Sequence, residues 1–150
     1  MVIFHRLVYY IYMNIKIFAG LFFAALLVSS CASRQVVIPE DLTAMEIIQR
    51  AQEASDRNRY SVSLQYYETV MNRFPFDTES TFAAEYEIAF IHYKQKKYDM
   101  AKAEFEVLLE RYNSPDEELL PPQFKILSSK LLVKINDLEN RRKKSGKSDK

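Results

Sequence analysis

The sequence predicts an all-α chain built from paired helices. Three observations carry this reading. No glycine stands between Gly20 and Gly146, so tight two-residue hairpins lose the residue that adopts φ > 0 most easily. Apolar residues recur at i, i+3, i+4 and i+7 along most of the chain, which is the spacing of an amphipathic helix. Two stretches also match one another at a constant offset of 38 residues, the mark of stacked, self-similar helical units.

The N-terminus stands apart from that pattern. Lys16 precedes an uncharged run of 14 residues, Ile17 to Ser30, that ends in small side chains ahead of Cys31. A basic start, an apolar middle and a small-residue end form the layout of a secretory signal. A membrane-spanning helix needs about 20 apolar residues, so residues 1–30 read as a signal peptide. The series Val28-Ser29-Ser30-Cys31 resembles the lipobox of bacterial lipoproteins, with Ser30 and Val28 as departures from its commonest residues. That resemblance implies cleavage before Cys31 and acyl chains, palmitate among them, on its thiol and new amino group. The alternative is an uncleaved anchor with a buried, inert cysteine. Residues 1–12 fit no signal layout, whereas the chain from Met13 reads as a compact one. Met13 is therefore the expected true start. Ala32 follows the cysteine where aspartate would argue for inner-membrane retention, so the periplasmic face of the outer membrane is expected.

Composition narrows the function. Setting aside Arg6 and Lys16, the two basic residues ahead of Cys31, leaves 19 basic residues against 20 acidic ones. That balance offers no basic face for nucleic acid. Cys31 is the one cysteine, so no disulfide can form within the chain. Without glycine, phosphate-cradling and dinucleotide-binding loops are excluded. No cofactor is expected.

Residues 31–40 read as a lipidated tether and 41–139 as the folded domain. Thr43 with Glu46 three residues on makes a capping box for a first helix, whose apolar face is Ile47, Ile48, Ala51 and Ala54. A second carries Tyr60, Ser63, Leu64, Tyr67, Val70, Met71 and Phe74, and Pro75 closes it. Asp77, Thr78 and Ser80 offer caps for a third, with Phe82, Tyr86, Ala89, Phe90 and Tyr93, and with Ile88 and Ile91 beside them. The fourth holds Tyr98, Ala101, Phe105, Leu108, Leu109 and Tyr112 and breaks near Asn113-Ser114-Pro115. Pro121 and Pro122 open the fifth, with Phe124, Leu127, Leu131, Leu132, Ile135 and Leu138. Residues 140–150 are a basic tail without apolar content, expected to be disordered.

The 38-residue offset aligns Tyr60 with Tyr98, Ser63 with Ala101, Tyr67 with Phe105, Val70 with Leu108, Arg73 with Arg111 and Phe74 with Tyr112. These positions resemble the tetratricopeptide repeat. Ser63 and Ala101 match its small residue in the second helix, Tyr67 and Phe105 its aromatic, Pro75 its terminal proline, and Ala51 and Ala89 its small residue in the first helix. The family period is about 34, and the longer period here falls in Phe74 to Ser80. Ile47 and Glu85 stand where the family has tryptophan, and Arg50 where it has leucine. The resemblance covers residues 44 to about 115. It implies a solenoid of two helical hairpins, with the fifth helix as the cap such arrays need. A lipobox ahead of long repeats resembles the lipoprotein subunit of the outer-membrane β-barrel assembly machinery, a family roughly twice this length with more repeats.

No catalytic set stands out. His92 is the one histidine after Cys31, with no second imidazole or thiol beside it in sequence, so a zinc site is not expected; a packed, hydrogen-bonded side chain is. Asp116, Glu117 and Glu118 read as a solvated loop. The expected site is an interaction surface, and no metal belongs to it. The resemblance places the first helix of each hairpin along a groove, lined by Met45, Ile48, Gln52, Ser55 and Asp56 from one repeat. The other contributes Ala83, Tyr86, Phe90, Tyr93 and Lys94. Tyr86, Phe90 and Tyr93 form one aromatic stripe, suited to anchoring a partner. The alternative is that the fifth helix covers this stripe with Phe124, Leu127 and Leu131. The functional expectation is an adaptor, not an enzyme, that binds an envelope protein or peptide segment, in outer-membrane protein assembly among other roles. The alternative is a carrier of a small apolar ligand between the third and fifth helices.

Overall fold

A computed structural model describes residues 35–148. The signal at 1–30, the proposed start at Met13 and Cys31 lie outside them. The described residues hold five α-helices and no strand: α1 (Ala44–Asp56), α2 (Tyr60–Arg73), α3 (Thr78–Lys94), α4 (Tyr98–Glu110) and α5 (Pro122–Ser148). Two 3₁₀ turns, Arg111–Asn113 and Glu117–Leu119, join α4 to α5. None of these helices is long and apolar enough to cross a membrane.

Local chemistry sets the helix starts. The Thr43 N–H donates to the Glu46 carboxylate at 2.9 Å, and the Glu46 N–H donates back to Thr43 Oγ1 at 3.3 Å. The hydrogen bond from the Thr43 backbone, more than any other cause, holds the Glu46 carboxyl below its usual range. At α3 the Ser80 N–H donates to Asp77 Oδ1 at 3.1 Å.

The turns between paired helices repeat bond for bond. The Asn58 N–H reaches Ser55 O and the Arg59 N–H reaches Ala54 O, at 2.9 and 2.8 Å. Thirty-eight residues on, Lys96 N–H reaches Tyr93 O and Lys97 N–H reaches His92 O, at 2.9 and 3.0 Å. Both are Schellman closures, which need a left-handed residue just past the helix. Asn58 at φ 57° and Lys96 at φ 62° take that place. Glycine is therefore absent from two positions that favour it.

Small residues let each pair approach closely. Ala51 and Ser63 are fully buried, and Ser63 Oγ donates to the Ala51 carbonyl at 2.7 Å. Ala89 and Ala101 are fully buried at the equivalent places. Above them the described residues form two cores. The first gathers Ile47, Ile48, Tyr67, Val70, Ala84 and Ile91 from α1, α2 and α3. The second gathers Phe82, Tyr86, Phe105, Leu108 and Ile135 from α3, α4 and α5, with Tyr112 from the first 3₁₀ turn. α3 feeds both, which is why apolar residues occur all round it.

The segment ahead of α1 is held against the helices. The Val36 N–H donates to Gln65 Oε1 at 2.8 Å. Arg73 grips the chain with Nη1 on Pro39 O at 2.7 Å, and with Nη2 on Ile38 O and Glu40 Oε1 at 2.9 and 2.8 Å. Ile38 and Leu42 then pack on the first core. The tail from residue 140 is also not disordered over its length, because α5 continues to Ser148. Lys102 pairs with Glu139 at 3.6 Å and the Arg142 guanidinium lies 5.0 Å from the Tyr98 ring centre. Lysine and arginine are good helix formers, and their charge suits a helix C-terminus.

Candidate interaction surface

The face shared by α1 and α3 holds much of what the sequence assigned to a groove, with three exceptions. Gln52 and Asp56 are exposed, and Phe90, Tyr93 and Lys94 are half-buried. Ile48, Ser55 and Tyr86 are buried, 7%, 5% and 9% exposed. These three are withdrawn from the surface for one physical reason: helical spacing gives the face of a residue, not what packs over it. Tyr86 lies with its ring centre 5.7 Å from Phe124 of α5 and 5.8 Å from Phe105 of α4. Burial, with the Glu87 carboxylate as the lesser cause, raises the Tyr86 hydroxyl above its ordinary pKa. The Tyr86 and Phe124 rings meet in the α3–α5 space where the sequence reading placed an apolar ligand.

The stripe itself forms. Tyr86 stacks on Phe90, and Phe90 on Tyr93, each pair at 6.0 Å and within 13° of parallel. It runs from the core outward: Tyr93 meets Tyr98 at 5.7 Å and carries Lys134 Nζ at 5.7 Å. Phe90 is the ring that faces α1 chemistry, through Lys94. Lys94 Nζ donates to Ser55 Oγ, and it lies 5.3 Å from the Tyr60 ring centre and 5.0 Å from that of Phe90. A cation is therefore held between a hydroxyl and two π faces.

Glu87 is the residue that the sequence reading missed. It is half-buried on α3. Desolvation is the largest cause raising its pKa; Asp56 adds to it and Lys94 opposes it. Tyr67 is fully buried, and its hydroxyl has no hydrogen-bond partner among the described residues. Burial, and then Glu87 and Asp56, push its ionisation out of reach. The available signal was an acid inside the apolar run Ala83-Ala84-Glu85-Tyr86-Glu87-Ile88-Ala89-Phe90. Glu85, the other acid of that run, is neutralised by Arg111 at 2.6 Å. Among the described residues no ion pair at such a distance joins Glu87.

His92 lies elsewhere, 9% exposed, with Nδ1 at 2.7 and 2.9 Å from the two Glu104 oxygens. It is packed and hydrogen-bonded. Among the described residues no group of three or more His, Cys, Asp or Glu is placed to hold a metal. The α2–α4 side carries an open apolar groove of about 350 Å³ lined by Met71, Ile88, Ala103, Val107 and Leu108, with Glu85 and Glu104 on its walls.

No protein-family model matches the chain, and no solved structure matches it. An uncharacterized protein of Treponema pallidum (strain Nichols) is 34% identical over 97 residues, which are 63% of this chain and 39% of that relative. The chain thus spans well under half the length of the relative it matches.

Proposed function

We propose that the chain is a lipid-anchored adaptor of the bacterial cell envelope, a tetratricopeptide-type solenoid of two repeats capped by α5, that holds a protein or peptide segment on its α1–α3 face. Val28-Ser29-Ser30-Cys31 supports the anchor, and Ala32 supports the outer membrane. The paired turns at Asn58 and Lys96 support the solenoid, since their hydrogen bonds recur with the period of the sequence. The observation that carries the adaptor role is the α1–α3 face itself. There exposed Gln52 and Asp56 stand beside half-buried Phe90 and Lys94, a mixture of polar rim and aromatic anchor typical of protein recognition. The reading assigns no catalysis, and outer-membrane protein assembly is one process it fits.

Two measurements test it. Metabolic labelling with a fatty-acid analogue should mark the parent chain and leave Cys31→Ser unlabelled; equal label in both sinks the anchor. Crosslinked capture from envelope extract should recover a partner whose crosslinks map to Gln52, Asp56 and Lys94. Crosslinks confined to the α2–α4 side would move the surface there.

A further inference from the structure

The near-zero net charge conceals a division along the chain. Residues 31–124 hold 10 basic and 17 acidic side chains, whereas residues 125–150 hold 9 basic and 3 acidic ones. The fold brings the basic ones to one end of the helices. Lys94, at the close of α3, donates to Ser55 near the close of α1 and lies over the ring of Tyr60 at the start of α2. The α1–α2 and α3–α4 turns therefore lie side by side. α5 runs toward the same end: its Phe124 meets Tyr86, its Lys134 lies over Tyr93 and its Arg142 over Tyr98 at the start of α4. The first turn presents Arg57 and Arg59, and the second presents Lys96 and Lys97. Beside them α5 presents Arg141, Lys143 and Lys144. All seven are exposed, and among the described residues none of them forms an ion pair. Asp56 and Asp99 belong to this end too, and they leave it strongly positive. The other end is acidic, with Asp77 and Glu79 at the α2–α3 turn and Asp116 and Glu118 between α4 and α5.

The strap adds a direction. The Val36 N–H bonds Gln65, eight residues nearer the start of α2 than Arg73, which holds Ile38 and Pro39. Followed upstream from Pro39 to Val36, the chain thus runs toward the start of α2, which is the basic end. Cys31 precedes Val36 by five residues, a reach of at most about 18 Å.

We infer that the basic end is a docking surface for an anionic phospholipid bilayer. Acyl chains on Cys31 hold the chain at the membrane, the two turns and the end of α5 meet the headgroup phosphates, and the acidic end faces away. This deepens the lipid-anchor reading and rests on it. The α1–α3 face then stays open along its length for a partner.

The test uses the lipidated chain isolated from the envelope and reconstituted into vesicles with nitroxide on a fraction of their headgroups. One variant carries a thiol-linked dye at the basic end through Ser145→Cys, another at the acidic end through Glu118→Cys; both positions are exposed. With about 30% phosphatidylglycerol in the vesicles, the nitroxide should quench the basic-end dye at least about threefold more than the acidic-end dye. That difference should vanish in phosphatidylcholine alone, and in about 0.5 M salt. Each cation near an anionic surface is worth about fivefold, so adding Arg141→Gln and Lys144→Gln should lower the ratio of docked to undocked chain about 25-fold. Both sites are exposed, and the thermal midpoint should stay that of the parent. Equal quenching at the two ends in anionic vesicles overturns the docking. So does a difference that persists in phosphatidylcholine, or one that survives the two glutamines. RNA that relieves the quenching at a phosphate concentration below that of the lipid would assign this end to nucleic acid and overturn it as well. A dye that labels the parent at Cys31 counts against the anchor reading alone, and the same quenching comparison on Cys31→Ser then decides the docking.

Discussion

Truncating Tyr86 to alanine distinguishes a core ring from a groove ring, and the structure sets the size of the effect. Tyr86 is 9% exposed, and its ring meets Phe90, Phe105 and Phe124 with centres 6.0, 5.8 and 5.7 Å away. An aromatic side chain of this kind buries about 150–250 Å², and at about 25 cal/mol per Å² its removal forfeits roughly 4–6 kcal/mol. Large-to-small changes at buried aromatics cost about 3–5 kcal/mol, in agreement. For a domain of this size each kcal/mol moves the thermal midpoint by about 4 °C, so Tyr86→Ala should melt about 12–20 °C early. Phe76, 96% exposed, is the control: Phe76→Ala should stay within about 0.5 kcal/mol of the parent. The assay is denaturant titration followed by far-UV circular dichroism. A Tyr86→Ala cost below about 1 kcal/mol would refute the burial argument and return Tyr86 to the binding surface.

Lys96→Gly should stabilise the domain by about 0.5–1 kcal/mol in the same titration, because Lys96 holds φ 62° at the end of α3 and glycine meets that angle without a Cβ clash; a loss of stability would refute the strain. Arg73→Ala should release the strap, removing hydrogen-exchange protection from the Val36 amide, whose bond to Gln65 sits upstream of the Arg73 grip, while the amides of α4 keep theirs. Burial raises the Glu87 carboxyl above its ordinary pKa, with Asp56 adding and Lys94 opposing. Folding therefore favours its protonated form, so its contribution is fully present below the unfolded pKa and is lost as pH rises through the folded one. The stability gain of Glu87→Gln over the parent should accordingly be larger at pH 7 than at pH 4, and an equal gain at both would refute the raised pKa.

Much of the architecture is legible in the residues because it rests on local rules. The Thr43–Glu46 box is a three-residue pattern and forms as read. The Ala51–Ser63 and Ala89–Ala101 contacts follow from small residues at repeated positions, and all four side chains are fully buried. The left-handed turns were less visible. Asn58 is a residue that tolerates φ > 0, but Lys96 is not, and its conformation is imposed by the Schellman bonds that the repeat demands. The fate of the aromatic stripe was not legible at all. Tyr86, Phe90 and Tyr93 share one face, yet α5 covers the first and leaves the other two half-buried. Nothing in the spacing of α3 records how far α5 reaches. Glu87 escaped for the opposite reason: a charged residue on a helix is ordinarily solvated, and the half-burial of Glu87 comes from packing between helices that spacing along α3 does not record.

The strap was equally hidden, since Arg73 reaches residues 33 to 35 positions away, and such a contact leaves no periodic trace. The repeat nevertheless explains why an arginine stands there. Arg73 and Arg111 occupy the same place in the 38-residue period, and each turns back from the end of its second helix to fasten what lies beside it. Arg111 pairs with Glu85 at 2.6 Å and lies 3.7 Å over the Phe82 ring of α3. Arg73 grips the carbonyls of Ile38 and Pro39 and the carboxylate of Glu40. In the second unit the acceptor comes from the preceding helix. In the first it comes from extended chain ahead of α1, because Ile47 stands where the second unit has Glu85 and offers no charge. One repeated residue type therefore serves two local solutions, and the apolar substitution at Ile47 is matched by an acid at Glu40. The strap is the first repeat's replacement for a salt bridge that its own first helix cannot make.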